Sequence, residues 1–150
     1  KTDYGYIDAF TQWITRNPEH YDVVVTSNMF GDIATDLASI LQGGMGMAGS
    51  GNIGDEHAFF EPVHGSSPKY AGMNKVNPIA SINSVQMMID WLGRKNTDQG
   101  LLEISKIIEK SVEEHLKEGK LLTYDLGGDS TCSSVGDAIA ANLKQNLSEL

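Results

Sequence analysis

Apolar side chains recur every three or four residues in several segments, a spacing that predicts amphipathic helices. The longest such segment is Gln99–Glu118, one side of which is apolar. Its apolar positions are Leu101, Leu102, Ile104, Ile107, Ile108, Val112 and Leu116. The same spacing predicts further helices over Ile7–Arg16 and over residues 32–41, 78–92 and 135–147.

Short runs rich in β-branched and aromatic residues predict strands between these helices. Residues 21–26 (YDVVVT) are typical of a buried strand, and residues 58–63 and 121–124 have the composition of two more. Because strands and helices alternate along the chain, the pattern favours an α/β fold.

Residues that start or end helices separate the predicted elements. Pro78 suits a first helical turn, Gly93 is placed to end that helix, and Ser134 is placed to cap the last one. Residues 27–31 predict a turn. Residues 43–54 contain six glycines and predict irregular or tightly packed backbone.

The composition is that of an ordinary globular protein, and it narrows the possible partners. The chain has 150 residues, 40% of them hydrophobic and 21% charged. No apolar run of about 18 residues predicts a membrane helix, and the net charge of −9 disfavours nucleic acid, whose phosphates need clustered lysine and arginine. Cys132 is the single cysteine, which excludes an internal disulfide and a cysteine zinc cluster. With no basic, apolar leader at its start, we expect a cytoplasmic protein.

Two acidic residues form the most distinctive chemical pattern. Asp32 and Asp36 are four positions apart, so a helix places both on one face. Two neighbouring carboxylates repel each other unless a cation joins them, and their oxygens are ligands that suit Mg²⁺ or Mn²⁺. Asp32 also follows a predicted strand where a helix begins, a junction at which ligands bind in α/β proteins. From the spacing alone, a capping role for Asp32 and a solvated Asp36 remain the alternative.

Residues 44–49 (GMGMAG) match the glycine pattern G-x-G-x-x-G, but we do not interpret them as a Rossmann fingerprint. That fingerprint follows a strand, opens a helix and has an acidic residue about 20 positions further on. Here the glycines follow a predicted helix, and position 64 is a histidine. We expect them to allow close backbone packing.

Residues 61–78 are a better candidate for a nucleotide-binding segment. Their small residues would let backbone N–H groups approach an anion, and Lys69 and Tyr70 can contact a phosphate. His64 can stack on a base or form a hydrogen bond with it. An ordinary irregular surface loop is the alternative on composition alone.

Residues 28–47 (NMFGDIATDLASILQGGMGM) resemble the signature of the isocitrate/isopropylmalate dehydrogenase family over their whole length. The resemblance extends over most of residues 3–147. It implies the family's α/β fold, which is not Rossmann-like and of which this chain would be the C-terminal half. Residues 1–42 would end the small, dimer-forming domain, and residues 43–150 would form the C-terminal half of the large cofactor-binding domain.

The resemblance assigns roles to three aspartates. It implies that Asp32 and Asp36 bind Mg²⁺ or Mn²⁺ together with the hydroxyl and carboxylate of the substrate. Asp8, which lies 24 positions before Asp32, stands where the family has a third aspartate that reaches the metal site of the other subunit. The expected assembly is therefore a homodimer with shared active sites.

Residues 61–78 also resemble the adenosine-binding loop of the family, closest to its NADP-using isocitrate enzymes. The positions that the resemblance assigns to the cofactor are His64, Gly65, Ser66, Ser67, Pro68, Lys69, Tyr70, Asn77, Tyr124 and Asp125. NAD-using members have an acidic and a small aliphatic residue where Lys69 and Tyr70 stand, whereas a cation and a phenol can bind a 2′-phosphate. The NADP enzymes also have an arginine four residues after the position of Tyr124, and this chain has Gly128 there. NADP is the expected cofactor, and NAD is the alternative.

The reaction that the resemblance implies is oxidation of a 2-hydroxy acid that bears a carboxylate at C3, followed by loss of CO₂. Residues 52–56 (NIGDE) resemble isocitrate dehydrogenase, so isocitrate is the expected substrate. Phe30 is more similar to isopropylmalate dehydrogenase, and isopropylmalate, homoisocitrate and tartrate remain open. The catalytic tyrosine and lysine of the family lie upstream of Lys1. We therefore expect an incomplete segment of a longer enzyme, or otherwise a non-catalytic nucleotide-binding or regulatory subunit.

Overall fold

The computed structural model describes residues 2–148, which divide into two compact units. The first unit ends at Gly44 and the second begins at Met45. Within the described residues, none of the helices combines the length and apolar character needed to cross a membrane.

The first unit consists of two helices, α1 (Ile7–Arg16) and α2 (Asn28–Ser39). A 3₁₀ turn follows each helix, over Pro18–His20 and over Ile40–Gln42. Helix α1 has the bounds that its periodicity predicts, and its buried Ile14 faces inward. Helix α2 carries the second buried apolar residue of this unit, Ala34.

The predicted strand over residues 21–26 is wrong for the described structure, and so is the turn over residues 27–31. Residues 21–26 are not in a strand, and Val23 and Val25 are 83% and 92% exposed. Strand residues need a hydrogen-bonded neighbouring strand, and the described part of this unit contains none. Helix α2 begins at Asn28, with Ser27 in the extended N-cap position, so the predicted turn is the first turn of the helix.

The second unit begins with an antiparallel hairpin of β1 (Gly49–Ile53) and β2 (Ala58–Pro62). Strand β2 confirms the predicted strand over residues 58–63, whereas β1 shows that residues 43–54 are not irregular throughout. A Cβ on Gly49 would lie 3.0 Å from the backbone nitrogen of Ser84 and 3.2 Å from the sulfur of Met87, both in α3 (Ile79–Asn96). Glycine therefore lets the hairpin approach this helix closely, as the packing interpretation of the glycine-rich segment predicts.

Three helices complete the second unit: α3, α4 (Gln99–Glu118) and α5 (Cys132–Ser148). Helix α4 packs against both α3 and α5, and its bounds are those predicted from periodicity. The core of this unit is apolar and comes from all three helices and the segment before β1. Its buried members are Met47, Ile79, Val112, Val135 and Ile139.

Gly93 does not end helix α3, contrary to the sequence prediction. A Cβ at this position would lie 2.8 Å from Cδ2 of Leu102, so Gly93 allows α3 and α4 to pack closely. The helix ends instead at Asn96, and its C-cap residue Thr97 adopts a left-handed conformation with φ of 54°.

Two predictions near the end of the chain are also wrong: the strand over residues 121–124 and the start of the last helix at residue 135. Residues 121–124 form no strand, because the backbone bonds that follow are local ones that close a 3₁₀ turn over Tyr124–Leu126. Helix α5 begins at Cys132, and Ser134 lies in its first turn. Thr131 and Ser134 each donate a backbone N–H to the other's hydroxyl oxygen, at 3.0 and 3.2 Å, as in a capping box.

Candidate metal and nucleotide sites

Helix α2 places the two predicted metal ligands, Asp32 and Asp36, one turn apart and exposed to solvent. The side-chain amide of Asn28 donates a hydrogen bond to Oδ2 of Asp32 at 3.1 Å. Asp32 is in the second turn, and the N-cap position belongs to Ser27, so Asp32 is not the helix cap. Because residues four apart share a helix face, the pair offers carboxylate oxygens in one place, which fits a hard divalent cation.

Asp8 lies apart from this pair in the first turn of α1. It is exposed, and its Oδ1 accepts a hydrogen bond from the backbone N–H of Ala9 at 2.8 Å. Among residues 2–148, no three histidine, cysteine or acidic side chains come together as a metal site. The structure therefore brings together two of the three predicted ligands within the chain, and it does not bring Asp8 to them.

The predicted nucleotide loop follows β2 and consists mostly of exposed residues. Residues 65–69 are all exposed, and Ser67 has a positive φ of 43° before the 3₁₀ turn Pro68–Tyr70. Nδ1 of His64 lies 2.8 Å from the carbonyl oxygen of Gly65. Since a carbonyl only accepts, Nδ1 carries the proton in a neutral ring, and Nε2 is left as the acceptor for a ligand.

Asn77 connects the end of this loop to a turn far along the chain. Its side chain is only 6% exposed. Its amide nitrogen donates to Oδ2 of Asp125 at 3.0 Å, and its amide oxygen accepts from the backbone N–H of Ile79 at 2.9 Å. A Cβ on Gly46 would lie 2.7 Å from Oδ2 of Asp125, so a side chain at position 46 would displace this carboxylate from Asn77. Two predicted cofactor residues, Asn77 and Asp125, are thus in direct contact.

A second tether holds the middle of the loop against the start of α5. Asn74 has a positive φ of 53°. Its side-chain nitrogen donates to Oγ of Ser133 at 2.8 Å, and its Oδ1 accepts from the backbone N–H of Ser133 at 3.0 Å. Its carbonyl oxygen also accepts from the backbone N–H of Cys132 at 2.9 Å. The backbone between Asn74 and Asn77 is therefore fixed at both ends.

Two tyrosines and two lysines meet at the exposed side of this loop. The rings of Tyr70 and Tyr124 are 5.6 Å apart between centroids. Nζ of Lys69 lies 5.5 Å from the centroid of Tyr70, and Nζ of Lys75 lies 4.6 Å from that of Tyr124 and 5.7 Å from that of Tyr70. Hydrogen bonding with Tyr70 raises the pKa of Tyr124 above its ordinary value, and desolvation and the charges of Tyr70 and Asp125 act in the same direction.

The sequence predicts that Lys69, Tyr70 and Tyr124 belong to one site, and the structure brings them together. The sequence does not identify Lys75 as part of this site, and it does not indicate that Gly46 lies against Asp125. The signal for Lys75 was a second cation in the same loop, but only the folded chain shows which rings it reaches. The close approach of Gly46 to Asp125 depends on contacts between distant segments and leaves no local pattern.

Gly128 stands where the resembling NADP enzymes have an arginine, and its surroundings leave no room for a side chain. A Cβ there would lie 2.0 Å from the carbonyl oxygen of Leu122. The same carbonyl accepts a hydrogen bond from the backbone N–H of Ser130 at 2.9 Å, and the N–H of Gly128 donates to Thr123 at 3.0 Å. These bonds fold the turn tightly over Leu122, so this backbone requires glycine.

The sequence of residues 1–139 matches the profile of the isocitrate/isopropylmalate dehydrogenase family. The chain belongs to this family. The isocitrate/homoisocitrate dehydrogenase of Thermus thermophilus is 46% identical over 138 residues, which are 92% of this chain and 39% of that protein. The 3-isopropylmalate/3-methylmalate dehydrogenase of Methanocaldococcus jannaschii is 45% identical over 145 residues, which are 97% of this chain and 41% of that protein.

Solved structures show the same relationship for the fold. The crystal structure of isocitrate dehydrogenase from Methylococcus capsulatus matches 91% of this chain and 39% of that one, with a TM-score of 0.81 and 36% identity. The beta-decarboxylating dehydrogenase of Thermococcus kodakarensis matches with a TM-score of 0.80 and 38% identity, over 95% of this chain and 40% of that one. The α/β fold of the isocitrate/isopropylmalate dehydrogenases is therefore confirmed, and the chain spans about two fifths of the length of these relatives.

Proposed function

We propose that this chain is part of a metal-dependent dehydrogenase that oxidises a 2-hydroxy acid bearing a carboxylate at C3 and releases CO₂. Isocitrate is the proposed substrate and NADP the proposed cofactor. The observation that carries the proposal is the exposed pair Asp32 and Asp36 on one face of α2, in a chain that belongs to a family of such dehydrogenases.

The acidic pair would hold Mg²⁺ or Mn²⁺ and set its position. Asp32 is oriented by the amide of Asn28, which occupies one lone pair of Oδ2 and leaves Oδ1 for a cation. The partner subunit's Asp8 would add a third carboxylate in a homodimer with shared sites, consistent with its separation from the pair within one chain. A divalent cation bound there would draw electron density from the C2 oxygen of the substrate, which favours both oxidation and loss of CO₂.

The loop after β2 would bind the adenosine end of the cofactor. The exposed residues 65–67 and 69 offer backbone N–H groups to phosphate, and Nε2 of His64 and the bonded pair of buried Asn77 and exposed Asp125 offer polar atoms to the base. When bound, the nicotinamide ring would accept the hydride that leaves C2.

The choice of NADP rests on Lys69, Tyr70 and Tyr124. A 2′-phosphate carries close to two negative charges and three acceptor oxygens, so it favours cations and phenolic hydroxyls. An acidic residue at position 69 would instead accept bonds from ribose hydroxyls and repel a phosphate. The convergence of these three side chains supports the phosphate-bearing cofactor.

Other hydroxy acids are supported as substrates by the names of the relatives and by Phe30. The names of relatives at 45–46% identity include homoisocitrate and 3-isopropylmalate as well as isocitrate. Phe30, which is 39% exposed on α2, resembles the isopropylmalate enzymes. Oxidation of isopropylmalate, homoisocitrate or tartrate with NAD is therefore the competing proposal, and a non-catalytic nucleotide-binding or regulatory subunit is the other.

The proposed roles of the two domains follow from membership of the isocitrate/isopropylmalate dehydrogenase family. Residues 1–42 would end the small, dimer-forming domain, and residues 43–150 would belong to the large cofactor-binding domain. The protein would work in the cytoplasm as a homodimer, with its hydroxy-acid substrate and a nicotinamide dinucleotide as its ligands.

Steady-state assays of the full-length protein test this proposal. Isocitrate, homoisocitrate, 3-isopropylmalate and tartrate are each offered with NADP or NAD in the presence of Mn²⁺, and reduced cofactor and CO₂ are both measured. We expect the highest kcat/KM for isocitrate with NADP. A higher value with another acid and NAD selects the competing proposal, and a higher value for isocitrate with NAD overturns the proposed cofactor. No turnover with saturable nucleotide binding selects the non-catalytic subunit.

A further inference from the structure

We infer that Lys75 is a determinant of NADP specificity. Its ammonium group supplies the second cation of the 2′-phosphate site, in place of the arginine for which position 128 has no room. This inference rests on the proposed use of NADP. Lys75 lies outside the Lys69-Tyr70 pair, and its side chain approaches the rings of Tyr70 and Tyr124 from the other end of the loop.

The position of its ammonium group is the first support. Nζ of Lys75 lies 4.6 Å from the ring centroid of Tyr124 and 5.7 Å from that of Tyr70, so it spans both rings. Nζ of Lys69 lies 5.5 Å from the ring centroid of Tyr70. Two lysines and two tyrosines thus lie close together at this loop, and ammonium and phenol groups are the donors that a doubly charged phosphate prefers.

Lys69 and Lys75 place two positive charges together in a chain that is acidic overall. The sequence has 20 acidic residues against 11 lysines and arginines. Among residues 2–148, five lysine or arginine salt bridges form, and neither Lys69 nor Lys75 takes part in one. Asp125, the acidic neighbour of Tyr124, has one carboxylate oxygen bonded to Asn77. The two lysines therefore remain available to an anionic ligand.

The backbone around Lys75 is fixed in advance of binding. Asn74 is bonded to Ser133 and to the backbone of Cys132, and Asn77 is bonded to Asp125 and to the backbone of Ile79. Lys75 lies between these two tethers. Only its side chain has to be ordered when a phosphate binds, which lowers the entropic cost of the contact.

The crowding around Gly128 explains why the second cation of the phosphate site would come from Lys75 in the loop and not from position 128. A Cβ at position 128 would lie 2.0 Å from the carbonyl oxygen of Leu122, closer than any non-bonded contact allows. An arginine there would require the turn after Tyr124 to refold. Lys75 approaches Tyr124 from the opposite segment and needs no such change.

Binding of NADPH and NADH to the full-length protein, followed by nicotinamide fluorescence, tests the inference. We expect Lys75→Gln to weaken NADPH binding by about tenfold and to change NADH binding by less than about twofold. Lys75→Arg should retain tight NADPH binding, because it keeps the charge. Lys106→Gln, which removes an exposed charge from α4, is the matched control for net charge and should leave both affinities unchanged.

The outcomes separate this inference from the proposed use of NADP. If wild-type protein prefers NADPH and Lys75→Gln retains that preference, Lys75 is not a specificity determinant, and the proposed cofactor stands. If Lys75→Gln weakens NADPH and NADH equally, its role is structural and the inference is overturned. If wild-type protein prefers NADH, the proposed cofactor and the inference both fail.

Discussion

The side-chain amide of Asn77 donates a hydrogen bond to Oδ2 of Asp125 at 3.0 Å, across 48 residues of the chain. The bond joins the end of the nucleotide loop to the 3₁₀ turn that carries Tyr124. Because Asn77 is almost completely buried, its two polar atoms have few alternative partners. This bond therefore helps to hold the loop that carries Tyr70 beside the turn that carries Tyr124.

Replacing Asn77 by aspartate should destabilise the protein. The new carboxylate would face Asp125, and the lost bond together with the repulsion should cost about 1–3 kcal/mol. The melting temperature of the full-length protein, compared at one scan rate, measures the effect. The exchange variant Asn77→Asp with Asp125→Asn restores a donor and an acceptor and should recover most of the loss. An exchange variant that melts no higher than Asn77→Asp alone would show that the pair is not the cause.

Gly128→Ala should also destabilise the fold, for a steric reason. Its Cβ would overlap the carbonyl of Leu122, and forced overpacking against backbone costs about 1–3 kcal/mol. Gly136→Ala is the matched control, because Gly136 lies in α5 with no atom within 4 Å of the added Cβ. That substitution should be neutral or stabilise the helix by up to about 1 kcal/mol. Equal melting temperatures for the two variants would contradict the crowding at position 128.

Replacing Lys69 by aspartate together with Tyr70 by isoleucine should shift the cofactor preference towards NAD. The change removes a cation and a phenol from the phosphate and adds an acid that favours ribose hydroxyls. We expect the ratio of kcat/KM for NADP to that for NAD to fall by at least about tenfold. Lys106→Asp, on the exposed side of α4, controls for the charge reversal. A ratio unchanged in the double variant would remove the specificity argument.

Helices were the part of the fold that the sequence predicted best. The bounds of α1 and α4 follow from periodicity because one face of each helix packs on its own unit. Strands depend on partners, so the β-branched composition of residues 21–26 did not suffice to form one. The prediction that Gly93 ends α3 is wrong because the sequence does not show that Leu102 lies against this glycine.

The candidate sites were predicted where the chemistry is local and missed where it is not. Asp32 and Asp36 are related by helix geometry, so their spacing predicts their common face. The contacts of Lys75 with Tyr124 and of Gly46 with Asp125 join distant segments. No local pattern encodes such contacts, and only the folded chain shows them.

Asp8 should act on the metal site of the neighbouring subunit. Asp8→Asn and Asp32→Asn should each inactivate the full-length enzyme when present in both subunits. If Asp8 acts across the dimer, a mixed dimer of the two variants keeps one intact site, so an equimolar mixture should recover about one quarter of wild-type activity. Samples of each variant alone, taken through the same mixing procedure, are the controls. No recovery in the mixture, with mixed dimers verified by mass, would place Asp8 in its own subunit's site or outside the site.

Manganese binding by full-length Asp32→Asn, measured with the wild-type protein as reference, shows whether the acidic pair on α2 holds the divalent cation. We expect the variant to bind Mn²⁺ at least about tenfold more weakly, while Asp137→Asn, an exposed change in α5, leaves binding unchanged. If Asp32→Asn binds Mn²⁺ as tightly as the wild-type protein does, Asp32 is not a metal ligand.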